Sequence, residues 1–125
     1  MSIQLQKPDY LIVYVSDMQR STAFYRDVLG LALKFTSPGW TEFDTGSTTI
    51  ALHTTGDQKL PAYSGRPPAG QAQLGFTVDD LQSVYEALKA QDVYFSQPPQ
   101  KQRPTGSPLA VLHDPDGLGI TLQQR

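Results

Sequence analysis

The chain repeats itself, and this constrains its fold more than any other feature. Leu11-x-Val13-x-Val15-Ser16-Asp17-Met18 returns 63 residues later as Leu74-x-Phe76-x-Val78-Asp79-Asp80-Leu81. Asp44-Thr45-Gly46 followed by Ile50-Ala51-Leu52 returns 70 residues later as Asp114-Pro115-Asp116 followed by Ile120-Thr121-Leu122. Order, spacing and polarity agree at both anchors, so one supersecondary unit occurs twice. In each copy an apolar β-branched run reads as a strand, and an Asp then opens an amphipathic helix. Asp17 opens the first helix, where Phe24 with Val28 and Tyr25 with Leu29 lie four apart, and Gly30 supplies the left-handed stop. Asp79-Asp80 opens the second helix, which runs to about Gln91 with Leu81, Val84, Tyr85 and Leu88 on its apolar face.

Three short strands follow the first helix, around residues 31–36, 40–45 and 48–54. The turn signals between them are Ser37-Pro38-Gly39 and Thr45-Gly46-Ser47. After the second helix a short strand at 93–95 leads into a Pro-rich loop, 96–108. Strands at 109–113 and 118–123 then flank the turn Asp114-Pro115-Asp116-Gly117. The fold class is therefore α+β: two βαβββ modules, about 8–54 and 72–123, forming a curved mixed sheet around a central cavity. A Gly/Pro-rich linker, about 55–71, joins them within a single domain, 1–125.

Strand alternation assigns the faces. Leu11, Val13, Val15, Ile50 and Leu52 face the first helix, and Leu74, Phe76 and Val78 the second. Tyr10, Ile12, Tyr14, Thr49, Ala51 and His53 are expected on the opposite, cavity-side face, as are Gln73, Gly75, Thr77, Gly119, Thr121 and Gln123. A mixed concave face of apolar walls with a few polar groups suits a small-molecule site.

Composition narrows the function. A net charge of −2 lacks the basic surplus of a nucleic-acid binder. No apolar stretch approaches the roughly 20 residues of a membrane span, and the polar N-terminus does not resemble a signal peptide, so a cytoplasmic location is expected. With no cysteine in the chain there is neither a disulfide framework nor a thiolate nucleophile. Gly-x-Ser-x-Gly is absent, and Asp114-Pro115-Asp116-Gly117 lacks the spacing of a calcium loop.

Residues 15–31, which carry Val15-Ser16-Asp17-Met18, Phe24-Tyr25 and Val28-Leu29-Gly30-Leu31, resemble the opening of glyoxalase/bleomycin-resistance/dioxygenase domains. Asp114-Pro115-Asp116-Gly117-x-x-Ile120 resembles their closing hairpin, and Trp40-Thr41-Glu42-Phe43-Asp44 with Ala51-Leu52-His53 is common in small members. The resemblance spans residues 8–123. It implies the vicinal-oxygen-chelate fold, homodimers, and a metal held by His, Glu, His and Glu from four strands. In this chain those positions carry Tyr10, Ala51, Gln73 and Thr121, a donor set poor for a catalytic divalent ion. The expectation is a bleomycin-resistance-like protein with no cofactor. It would bind a small, partly aromatic molecule through Tyr10, Tyr14, Trp40, Ala51, His53, Gln73 and Thr121, for drug or metabolite sequestration. The alternatives are a lyase, isomerase or dioxygenase with a rearranged metal site or His53 as base, and a ligand-free interaction module. His53 is the best catalytic candidate, though it is read first as a ring hydrogen-bonded in the cavity. His113 is read as a surface residue, Glu42 and Asp44 as solvated or along a dimer seam, and Lys101 and Arg103 as solvated charges of a loop able to close over an acidic ligand.

Overall fold

The computed structural model describes residues 3–55, 71–101, 104 and 106–125. The chain divides into two compact units, Met1–Gln58 and Lys59–Arg125. Most of the expected linker, together with Arg103 and Thr105, lies outside the described residues. None of the described helices is long and apolar enough to cross a membrane.

The first unit contains β1 (Tyr10–Val15), α1 (Met18–Ala23), a π-helical turn (Phe24–Val28), β2 (Ala32–Thr36), β3 (Trp40–Asp44) and β4 (Thr49–Thr54). The sheet order is β1-β4-β3-β2, with β1 parallel to β4 and the other pairs antiparallel. The second unit contains β5 (Leu74–Val78), α2 (Leu81–Lys89), β6 (Phe95–Lys101), β7 (Pro108–His113) and β8 (Gly119–Gln124), with the same topology in the order β5-β8-β7-β6. The repeat is kept in the pairing of the first strand of each unit with its last. Leu11 lies opposite Ile50 in one sheet, and Leu74 opposite Ile120 in the other. Both sequence anchors thus mark the same parallel pair of strands.

One face of each sheet is closed by its helix. Val13, Val15, Tyr25, Phe43, Ile50 and Leu52 are buried in the first unit, and Leu74, Leu81, Leu88, Ala110, Leu112, Ile120 and Leu122 in the second. Within the first core the Thr41 hydroxyl meets those of Thr36 at 2.8 Å and Thr22 at 3.3 Å, so these three hydroxyls keep partners. Asp17 and Asp80 cap their helices as expected, accepting from the amides of Arg20 at 3.0 Å and Ser83 at 3.1 Å.

Two local expectations are corrected. The first helix does not keep an α-helical stripe through Leu29. From Phe24 it widens into a π turn, with the Leu29 amide donating to the Phe24 carbonyl at 3.0 Å. The extra residue in that turn carries Tyr25 fully into the core, its ring centroid 6.1 Å from that of Phe43, while Phe24, Val28 and Leu29 stay half-buried. Gly30, at φ 76°, ends the turn. The second correction concerns residues 96–101, expected in a loop. They belong to β6, which runs through Pro98 and Pro99 to Lys101. Proline is admissible there because β6 is an edge strand whose pairing with β7 shifts register between Gln97 and Gln100.

Candidate functional site

The first sheet has one face closed by its helix and one left open. Residues directly opposite one another share a face, so the register lays out the open face in three rows. One row is Tyr14, His53 and Trp40, the next Ile12, Ala51, Glu42 and Phe35, and the third Tyr10, Thr49, Asp44 and Ala32. A β-bulge between Leu33 and Phe35 leaves Lys34 unpaired in the ladder. Its ammonium reaches over the same face, donating to Thr49 Oγ1 at 3.3 Å and lying 3.6 Å from Glu42 Oε1.

Four rings on this face form a continuous string. Tyr14 and His53 have centroids 5.6 Å apart, His53 and Trp40 5.8 Å, and Trp40 and Tyr10 6.4 Å. The last contact joins the first row to the third. It is possible because Trp40 leans along its strand, its indole Nε1–H donating to Glu42 Oε2 at 2.7 Å. The rings meet across Ala51, which has no exposed surface. The short side chain at 51 therefore makes room for the aromatic string. Trp40 stands nearly perpendicular to both Tyr10 (77°) and His53 (87°), so the rings form corners rather than a closed stack. Tyr10 (57%), Tyr14 (62%) and Phe35 (52%) keep much of their surface exposed.

His53 Nδ1 lies 2.8 Å from the Thr54 carbonyl oxygen. A carbonyl only accepts, so Nδ1 is the donor in this contact. The contacts that orient the ring are thus a carbonyl and two aromatic neighbours.

In the second sheet the structure brings Gln73 and Thr121 together, the amide Nε2 donating to Thr121 Oγ1 at 2.8 Å. Gln73 lies against Gly119, where an added Cβ would come within 2.9 Å of Gln73 Oε1. His113 is not a free surface residue. It is half-buried, with Nδ1 3.0 Å from the Gly117 carbonyl oxygen and Nε2 2.7 Å from Ser96 Oγ, and it helps hold the closing hairpin. Asp114 is buried in that turn and accepts from the amides of Asp116 at 2.9 Å and Leu118 at 2.8 Å. Lys101 is exposed at the end of β6.

Three residues of the open face lie outside the expected site. Glu42, expected to be solvated or on a dimer seam, is half-buried and fixed by Trp40. Lys34 and Phe35 both reach the face because of the bulge, for which a lone Leu-Lys-Phe run carries no signal.

Two βαβββ units with mixed sheets in identical order define the vicinal-oxygen-chelate class of fold. The chain belongs to the glyoxalase/bleomycin resistance protein/dioxygenase superfamily, whose profile matches residues 7–122. A virulence protein of Salmonella typhimurium is 28% identical over an aligned length of 130, covering 98% of this chain and 88% of that protein. A lactoylglutathione lyase of Haemophilus influenzae is 25% identical over 119, covering 89% and 87%. The crystal structure of a glyoxalase family protein from Enterococcus faecalis superposes with a TM-score of 0.77 at 22% identity, covering 93% of this chain and 95% of that one.

The superfamily's metal does not fit the residues at its four positions. Ala51 offers no donor atom, Tyr10 is neither imidazole nor carboxylate, and Gln73 and Thr121 offer only a neutral amide and a neutral hydroxyl. Among the described residues no three of His, Cys, Asp and Glu come together as a ligand set.

Proposed function

We propose that the protein binds a small, partly aromatic molecule on the open face of its first sheet without a metal, in the manner of a drug- or metabolite-sequestering protein. The observation that supports this reading is the exposed string Tyr14–His53–Trp40–Tyr10, built where metal-using members would place a His on β1 and a Glu on β4. Aromatic rings recognise planar ligands by stacking, and sequestration needs affinity but no reacting group. The single Trp40 also reports on the face, because its emission responds to anything stacked nearby.

The test is titration of the protein with a panel of planar aromatic drugs and metabolites in buffer containing EDTA, following Trp40 emission and melting temperature. Binding is expected to survive the chelator and to weaken about tenfold in Tyr14→Ala, the scale of one lost aromatic contact. If no compound shifts either signal, or if every shift requires an added divalent ion, the reading is wrong.

A further inference from the structure

We propose that this face selects planar aromatic cations, with Glu42 as the anionic anchor. The inference rests on the binding reading above and adds the charge of the ligand to it.

Glu42 is held by a short bond from the Trp40 indole nitrogen, 2.7 Å at Oε2, which leaves its second oxygen, Oε1, facing Lys34. Lys34 is a looser partner. Its ammonium stands 3.6 Å away, beyond good hydrogen-bond distance, on a side chain about half exposed, and its hydrogen bond goes to Thr49 instead. Exposed pairs of this kind contribute little and separate readily. An incoming cation can therefore displace Lys34 from Oε1, while the carboxylate keeps its place beside the indole.

The surroundings favour the same sign. The faces of Tyr10, Tyr14 and Trp40 present negative quadrupoles, which attract cations and repel anions. Charged residues on the three rows and the bulge are Glu42 and Asp44 against Lys34, a surplus of one negative charge. An anionic ligand would meet Lys34 only beside Glu42 and against ring faces of the wrong polarity. A planar cation gains stacking and charge pairing at once, since Trp40 and Glu42 are bonded to each other.

Three tricyclic probes of similar shape separate the contributions: proflavine as the cation, acridone as the neutral ring system and anthracene-2-carboxylate as the anion. Calorimetric titration of the full chain is expected to give proflavine an affinity about tenfold above acridone, with the carboxylate weakest. Glu42→Gln keeps an oxygen to accept from Trp40 and removes only the charge. It is expected to close the gap, weakening proflavine about tenfold and leaving acridone within about twofold. Lys34→Met removes the competitor and is expected to tighten proflavine severalfold. Unchanged far-ultraviolet circular dichroism confirms that each variant is folded. Equal affinities for proflavine and acridone, or an equal loss of both in Glu42→Gln, overturn the charge selection while leaving the aromatic-binding reading intact. If no probe binds, both fall together.

Discussion

Ala51 and Glu42 face each other across β4 and β3, and the pair explains much of the open face. Where a metal-using relative would carry a carboxylate on β4, this chain has a methyl group, and the carboxylate of the face stands one strand away. The two facts are coupled. Any longer side chain at 51 would rise between Tyr10 and Trp40, whose rings meet above it. Ala51→Glu is therefore expected to destabilise the protein by about 3 kcal/mol or more, since it places a second carboxylate beside Glu42 at a site without solvent exposure. Thermal melting measures the loss, and a red-shifted Trp40 emission reports the opened ring contact. A variant that melts like the parent would mean that the rings do not depend on the small residue beneath them.

At the scale of elements, the start of α2 carries an electrostatic signature. Asp80 caps α2, and its carboxyl is held below the ordinary carboxylate range, first by the Ser83 hydroxyl at 2.8 Å and then by the Ser83 amide at 3.1 Å. A depressed folded-state value means that the stabilisation is fully present above the unfolded carboxylate's ordinary pKa. It is lost as pH falls through the lower folded value. Asp80→Asn keeps an acceptor at the cap but does not titrate. The stability advantage of the parent over Asp80→Asn is thus expected to shrink on acidification from pH 7 to pH 3, measured by thermal melts at each pH. A difference that stays constant with pH would remove the charge from the account of the cap. The edge strand β6 teaches a related lesson, because Pro98 and Pro99 read as loop residues until an unpaired edge and a register shift make room for them.

For the molecule as a whole, family membership and metal chemistry come apart. The superfamily profile spans nearly the entire chain, yet the four positions where the resemblance implies ligands carry one phenol, one methyl group, and an amide and a hydroxyl bonded to each other. Exhaustive chelation is accordingly expected to leave the melting temperature unchanged, and nickel, zinc, manganese or cobalt to leave it unshifted. A resident ion at a hundred times its dissociation constant would add about 2.7 kcal/mol, a shift easily seen in a melt. Such a shift, abolished in a Tyr10 or Gln73 variant, would restore a metal to the site by a ligand set not visible in the donor chemistry.

The repeat and its alternation were legible from the residues alone. Two offsets predict that one βαβββ unit occurs twice, and period-two patterning puts Tyr10, Tyr14 and His53 on the face away from the helix. These properties are local, set by the backbone of each strand and by which residues shun water. Tertiary structure alone decided how the side chains meet. Trp40 leans onto Glu42, a bulge delivers Lys34 and Phe35 to the open face, Gln73 reaches Thr121, and a π turn swings Tyr25 into the core. Each of these depends on the register between strands or on one extra residue in a turn, and a shift of a single residue reassigns every neighbour without changing the pattern along the chain.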